Sequence, residues 1–131
     1  MLLDITPFRG CLVHCFYPEH HNPNVPGSKR RPVMVLRYDQ QTHRALVLYC
    51  TSQNVDVARL GELVVKQGDM DGLSKTTKVC LGHYRWVPVT SEYFSNEIAV
   101  IGRLPKNYHF AFMQAFSEVR DALKDELKIG I

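Results

Sequence analysis

Three polar clusters in the chain carry side chains able to do chemistry. The first runs from His20 to Arg31, with imidazoles at His20 and His21 and a basic run, Lys29-Arg30-Arg31, at its end. The second is Thr51-Ser52-Gln53, and the third is His83-Tyr84-Arg85. A guanidinium stays charged at any physiological pH and forks onto two oxygens of an anion. Hydroxyl and amide groups exchange hydrogen bonds with such an anion, and imidazole takes up and returns protons near neutrality. Each cluster also has a plainer reading. Arg30 and Arg31 can be solvated loop charges, Thr51 a strand-end hydroxyl bonded to its own backbone, and His20 and His21 simply wet.

The elements that must position these clusters are short and mostly extended. Arg9–Tyr17 reads as a buried strand, with Cys11, Val13 and Cys15 alternating with Leu12, His14 and Phe16. Pro18–Arg31, with three prolines and a glycine, reads as an irregular loop. After Pro32, the runs Val33–Leu36 and Ala45–Cys50 flank the polar turn Asp39–Thr42, as in a hairpin. Val55–Leu60 fits a helical turn or a loop, Glu62–Val65 a strand, and Gly68–Gly72 a turn. Thr77–Leu81 and Tyr84–Val89 read as two strands separated by Gly82-His83, and Glu97–Ile101 as a further one. Pro105 then suits the first turn of a helix over about 105–128, because Phe112, Phe116, Val119, Leu123 and Leu127 recur at steps of four and three. This pattern predicts a mainly β, α+β fold: one domain over 1–131, many short strands in a sandwich or small barrel, and a C-terminal amphipathic helix laid across it.

Composition agrees with that size and class. With 131 residues, 45% of them hydrophobic, the chain can bury a core without a metal or a disulfide. A net charge of +3 means that any basic surface must come from local clustering. No run approaches the roughly 18 apolar residues of a membrane span, and the first ten residues lack the pattern of a secretory signal, so a soluble, cytoplasmic chain is expected. Cys11, Cys15, Cys50 and Cys80 show no C-x-x-C spacing and read as buried thiols. A metal site from Cys11, Cys15 and His14 is set aside, since on one strand His14 faces away from both sulfurs. No metal and no cofactor is expected.

The order of the motifs adds a resemblance. Arg9-Gly10, Arg31-Pro32-Val33-Met34-Val35-Leu36, Thr51-Ser52-Gln53, Gly72-Leu73-Ser74-Lys75, Tyr84-Arg85 and Ile101-Gly102-Arg103-Leu104 follow one another before an amphipathic helix. In this order they resemble the MazF/PemK/Kid family of toxins from type II toxin-antitoxin systems, over residues 9 to about 125. The resemblance implies an SH3-like small β-barrel with a C-terminal helix, a homodimer, and a metal-independent, sequence-selective endoribonuclease, an mRNA interferase, acting on single-stranded RNA. It also implies an antitoxin partner whose acidic tail covers the RNA groove. Matched motif by motif, Arg31 and Thr51 fall on the family's catalytic pair and Arg85 on a phosphate ligand.

The chemistry of such a reaction suits those residues. Metal-free RNA cleavage uses the 2′-hydroxyl as nucleophile, so a site must take its proton, hold the phosphate in line and neutralise charge growing on its oxygens. Arg31 is assigned the last task, and Arg30 beside it is a candidate substrate-binding residue. Thr51 can bond a phosphate oxygen or the 2′-hydroxyl, and Ser52 with Gln53 can hold backbone or a base edge. Tyr17, Tyr84 or Trp86 could stack a base. Two departures matter: Gly82-His83 stands where many members have an acidic residue and glutamine, so the carboxylate base of the Kid branch is missing, and Cys80 falls where that branch places a second arginine. His83 could supply the base, as could His20 or His21, because imidazole ordinarily titrates near 6.5. Two other readings stay open: a family member that binds without cleaving, and a gyrase poison like the CcdB toxins, whose ending Ile129-Gly130-Ile131 partly resembles. The aromatic anchor of that ending is absent here.

Overall fold

A computed structural model describes residues 3–124 of the chain. The strands are β1 (Cys11–Cys15), β2 (Arg31–Asp39), β3 (Arg44–Thr51), β4 (Glu62–Val65), β5 (Thr77–Pro88) and β6 (Val100–Arg103). They form one antiparallel sheet in the order β4-β5-β3-β2-β1-β6. A four-residue helix, α1 (Ser91–Phe94), precedes β6, and the long helix α2 (His109–Leu123) follows it. The fold is α+β with strands dominant, as the periodicity leads one to expect. Among the described residues no helix is long and apolar enough to cross a membrane.

Period-two alternation sends side chains to two separate cores. Leu12, Met34, Leu48 and Cys50 point to one face and meet Ala115 and Leu123 of α2, with Phe112, Phe116 and Val119 packed at its margin. The described part of the apolar helical stripe therefore does cover the sheet; Leu127 lies outside the described residues, as does the end of the expected helix. On the other face Cys11, Val13, Cys15, Val33, Val35 and Val47 pack under Ile5, Tyr93 and Phe94. Leu63 and Val65 from one edge strand and Ile101 from the opposite edge share the α2 core, so the sheet curls strongly. The connection after β4 is pressed onto β6: a Cβ at Gly72 would stand 2.0 Å from the Ile101 carbonyl oxygen, and one at Gly102 2.6 Å from Met70 Cγ. Only glycine permits that approach.

Several elements differ from the sequence expectation: the last strand is Val100–Arg103 rather than Glu97–Ile101, and the short helix Ser91–Phe94 stands where none was expected. Arg31 and Pro32 belong to β2, which runs on to Asp39. Thr77–Pro88 is one strand, where the sequence predicts a break at Gly82-His83. The reason is a change of partner: Cys80 pairs with Tyr49 while Tyr84 pairs with Leu48, so Leu81, Gly82 and His83 bulge out of the β3 ladder. Leu81 instead gives its N–H to the Gly61 carbonyl at 2.8 Å, next to β4. Finally, the helix begins later than Pro105; a 3-10 turn, Lys106–Tyr108, leads into α2 at His109.

Candidate functional site

The cleft opens where the second core ends. On the face that carries Val33, Val35 and Val47, the next outward positions are Tyr49 on β3, Arg31 at the start of β2 and Tyr17 just beyond β1. These aromatic and charged side chains end the dry core and begin a polar wall. The bulge in β5 re-aims His83 to the same side, next to Arg85. The result is a cleft of about 680 Å³ lined by Tyr17, Glu19, His20, His21, Arg31, Tyr49, His83 and Arg85 together with Pro18 and Tyr84. That volume lies within the usual range for ligand sites.

Its floor is a tilted aromatic series. The Tyr17 and Tyr49 rings are 5.2 Å apart, and Tyr49 and His83 are 6.3 Å apart. Arg85 lies over the Tyr17 ring with its guanidinium carbon 6.0 Å from the centroid. Burial pushes the Tyr17 phenol above its ordinary value, against the opposing pull of Arg85. One end of Arg85, Nη1, donates to the Pro23 carbonyl at 3.4 Å, whereas its Nε is buried without a partner. An orphaned buried donor of a charged group is costly unless an acceptor visits it.

The roof is the segment between β1 and β2, which is held by more internal contacts than a breaker-rich loop suggests. Glu19 and Asn22 form an isolated β-bridge, and Gly27 donates to the Phe16 carbonyl at 3.0 Å. A Cβ at Gly27 would stand 2.1 Å from the Tyr17 carbonyl oxygen, so glycine alone lets the returning chain lie this close. Ser28, just after it, donates through Oγ to Glu19 Oε1 at 2.7 Å. Glu19 Oε2 in turn stands 3.2 Å from His21 Nε2. The bonds from Ser28 hold the Glu19 carboxyl below the ordinary range, with smaller help from His21 and Arg31.

The cleft thus gathers five of the candidate residues: His20, His21, Arg31, His83 and Arg85. The other four sit around it or apart from it. Arg30 is exposed and follows the opposite alternation to Arg31; it stands near His14, whose imidazole is pushed down first by burial and then by that charge. Thr51, Ser52 and Gln53 do not line the cleft. The β2–β3 register pairs Val33 with Tyr49 and, continued by two residues, sets Arg31 opposite Thr51. The Thr51 hydroxyl accepts from the Gln53 N–H at 3.1 Å, the plain backbone role open to it, and Ser52 and Gln53 are exposed.

Two cleft residues are not legible as site residues in the sequence. Tyr49 is hidden inside an apolar run, although its alternation with Leu48 and Cys50 places it on the Thr51 face. Glu19 supplies a carboxylate that no motif announces; its signal is the Pro-Gly-Ser stretch that folds the segment back on itself. Cys80, in the position of the expected second arginine, is buried beside the ion pair of Lys78 and Glu62 on β5 and β4. Among the described residues no group of three or more His, Cys, Asp or Glu is placed to hold a metal ion. Ile129-Gly130-Ile131 lies outside the described residues.

No family model matches the chain, and no curated protein matches it.

Proposed function

We propose that the cleft binds a segment of single-stranded RNA and cleaves its backbone by attack of a 2′-hydroxyl, as a metal-independent endoribonuclease. The observation that carries this reading is the convergence of two guanidinium groups and three imidazoles on one cleft with an aromatic floor. Arg31 and Arg85 neutralise the phosphate and the charge that grows on its oxygens in the transition state. The unpartnered Nε of Arg85 is the donor such an oxygen would satisfy. Tyr17 and Tyr49 offer faces on which an unpaired base stacks, a contact worth about 1–3 kcal/mol per base. Imidazoles move the two protons that the reaction requires, and His83 is aimed for this by the bulge. Thr51, opposite Arg31 in register, adds a hydroxyl at the edge of the site.

The curled six-stranded sheet with α2 across it agrees with an SH3-like barrel. Together with the ordered motifs, it favours the biological role of a MazF/PemK/Kid-like toxin, a homodimer held in check by an antitoxin. The test is cleavage of a long, mostly unpaired RNA by the purified chain in EDTA, with the ends mapped. Discrete cuts carrying 2′,3′-cyclic phosphates, lost in Arg31→Ala and reduced in Thr51→Ala, are expected. An intact RNA would leave the cleft a binding site only.

A further inference from the structure

The proposed cleavage needs a proton acceptor for the 2′-hydroxyl, and three imidazoles line the cleft. They are not equivalent. His21 alone has a carboxylate on one ring nitrogen: Glu19 Oε2 lies 3.2 Å from Nε2. A carboxylate only accepts hydrogen bonds, so a neutral His21 facing it carries its proton on Nε2 and presents the lone pair of Nδ1. The carboxylate is itself held, because Ser28 donates to its other oxygen through Oγ at 2.7 Å and through N–H at 3.4 Å. Gly27, which fits against the Tyr17 carbonyl, fixes where Ser28 stands. This is a base oriented by a third group, the general arrangement by which enzymes activate a proton acceptor. Glu19 is a poor base in its own right, since the bonds from Ser28 hold its carboxyl down.

We infer that His21 is the catalytic proton acceptor of this cleft and that Glu19, fixed by Ser28, is its positioning residue; the inference rests on the RNA-cleaving reading above. The 2′-hydroxyl proton passes to Nδ1 of His21, and the 2′-oxygen forms a bond to phosphorus. The bond from phosphorus to the 5′-oxygen breaks, and protonated His83 gives that oxygen a proton. The products are a 2′,3′-cyclic phosphate and a 5′-hydroxyl, and exchange with water restores both rings. The other charged and titratable groups that line the cleft with His21 are Glu19, His20, Arg31, His83 and Arg85, with the phenols of Tyr17, Tyr49 and Tyr84; the His21 side chain is itself 79% exposed and touches Glu19. Arg31 sits close enough to Glu19 to act on its charge. Phosphate held there would lie beside the acceptor.

The test combines ring-nitrogen NMR with cleavage by the full chain. At pH 8 the His21 resonances of the wild type should report the Nε2–H tautomer, and Glu19→Gln should give a mixture of tautomers. Cleavage of an unpaired RNA should fall roughly 10- to 100-fold in kcat for Glu19→Gln, part of the 10²–10⁴ a general base supplies, with KM within about twofold. Glu19→Asp should recover part of the rate, and Ser28→Ala should fall between them. A wild-type Nδ1–H tautomer, or Glu19→Gln cutting at the wild-type rate, overturns the assignment while leaving the nuclease intact. Wild-type protein that binds RNA without cutting it overturns both, and the tautomer then shows whether the Glu19–His21 contact itself was real.

Discussion

Replacing Lys78 by methionine removes one charge from a pair that the fold has almost closed off from water. Lys78 Nζ lies 3.0 Å from Glu62 Oε1, and the two side chains are 7% and 14% exposed. The same ammonium donates to the carbonyls of Asn54 and Val57 at 3.3 and 3.4 Å, which ties down the turn that follows Thr51. Methionine matches the stem in length and apolarity, so the loss is electrostatic rather than a cavity. Breaking a buried pair by removing one partner costs about 3–5 kcal/mol, because the other charge stays buried and uncompensated. For a domain of this size that is a fall in Tm of roughly 10–20 °C, measurable by circular dichroism together with urea unfolding. The pH dependence gives a second check. Burial pushes the Glu62 carboxyl up, but the Arg59 N–H and Lys78 outweigh it, so it lies below the ordinary 4.5 in the folded chain. A depressed carboxyl contributes stability that is present above its unfolded value and is lost as pH falls through its folded value. In Lys78→Met the pull of Lys78 is gone while burial and the Arg59 N–H bond remain, so the carboxyl lies higher than in the wild type. The gap between variant and wild type should therefore be widest near neutrality and shrink in acid, as pH falls from the variant's folded value to the wild type's lower one. Lys78→Met/Glu62→Gln should recover about 1–3 kcal/mol relative to the sum of the single changes. A loss under about 1 kcal/mol for Lys78→Met at pH 7, with no narrowing in acid, would refute the reasoning, because that is how an exposed ion pair behaves.

Other outcomes follow from the same geometry. Arg85→Lys keeps the charge but loses the planar fork and the buried Nε, so affinity for a short unstructured RNA, followed by fluorescence anisotropy, should weaken about tenfold, the value of one charge-assisted hydrogen bond. Equal affinities would mean that the phosphate does not use that edge. Gly27→Ala must move the chain off the Tyr17 carbonyl, 2.1 Å from the new Cβ, so trypsin should cut at Lys29 and Arg30 many times faster than in wild type. All four thiols are buried, and desolvation pushes Cys15 up to about 12 and Cys80 to about 11, so a thiol reagent at pH 8 should label the native chain slowly and the urea-unfolded chain at once. Fast labelling of Cys15 in the native state would contradict the packing of the second core.

The uneven legibility of this chain has a physical pattern. Glu62–Val65 is readable to the residue, and so is the side of α2 that meets the sheet, because burial on one face imposes a period that any apolar count detects. The bulge at Gly82-His83 reads as a break, since a glycine in a strand pattern fits either a turn or a bulge and only the partner strands decide. Here β5 must serve β4 and β3 at once, and three residues step out of one ladder so that it can. That step is what turns His83 toward Arg31, far away in sequence. Thr51 and Arg31 are recognisable as motifs, yet only the β2–β3 register, continued two residues past Val33 and Tyr49, brings their positions level. Glu19 is least legible of all: its carboxylate reaches the cleft because Gly27 allows a close approach and Ser28 then captures it, a relation of nine residues with no period behind it. Elements can thus be inferred from repetition along the chain, whereas the site depends on the places where repetition fails. A bulge made by a change of strand partner brings His83, and a glycine contact brings Glu19, to the end of the second core, where its apolar residues give way to the tyrosines and arginines of the cleft.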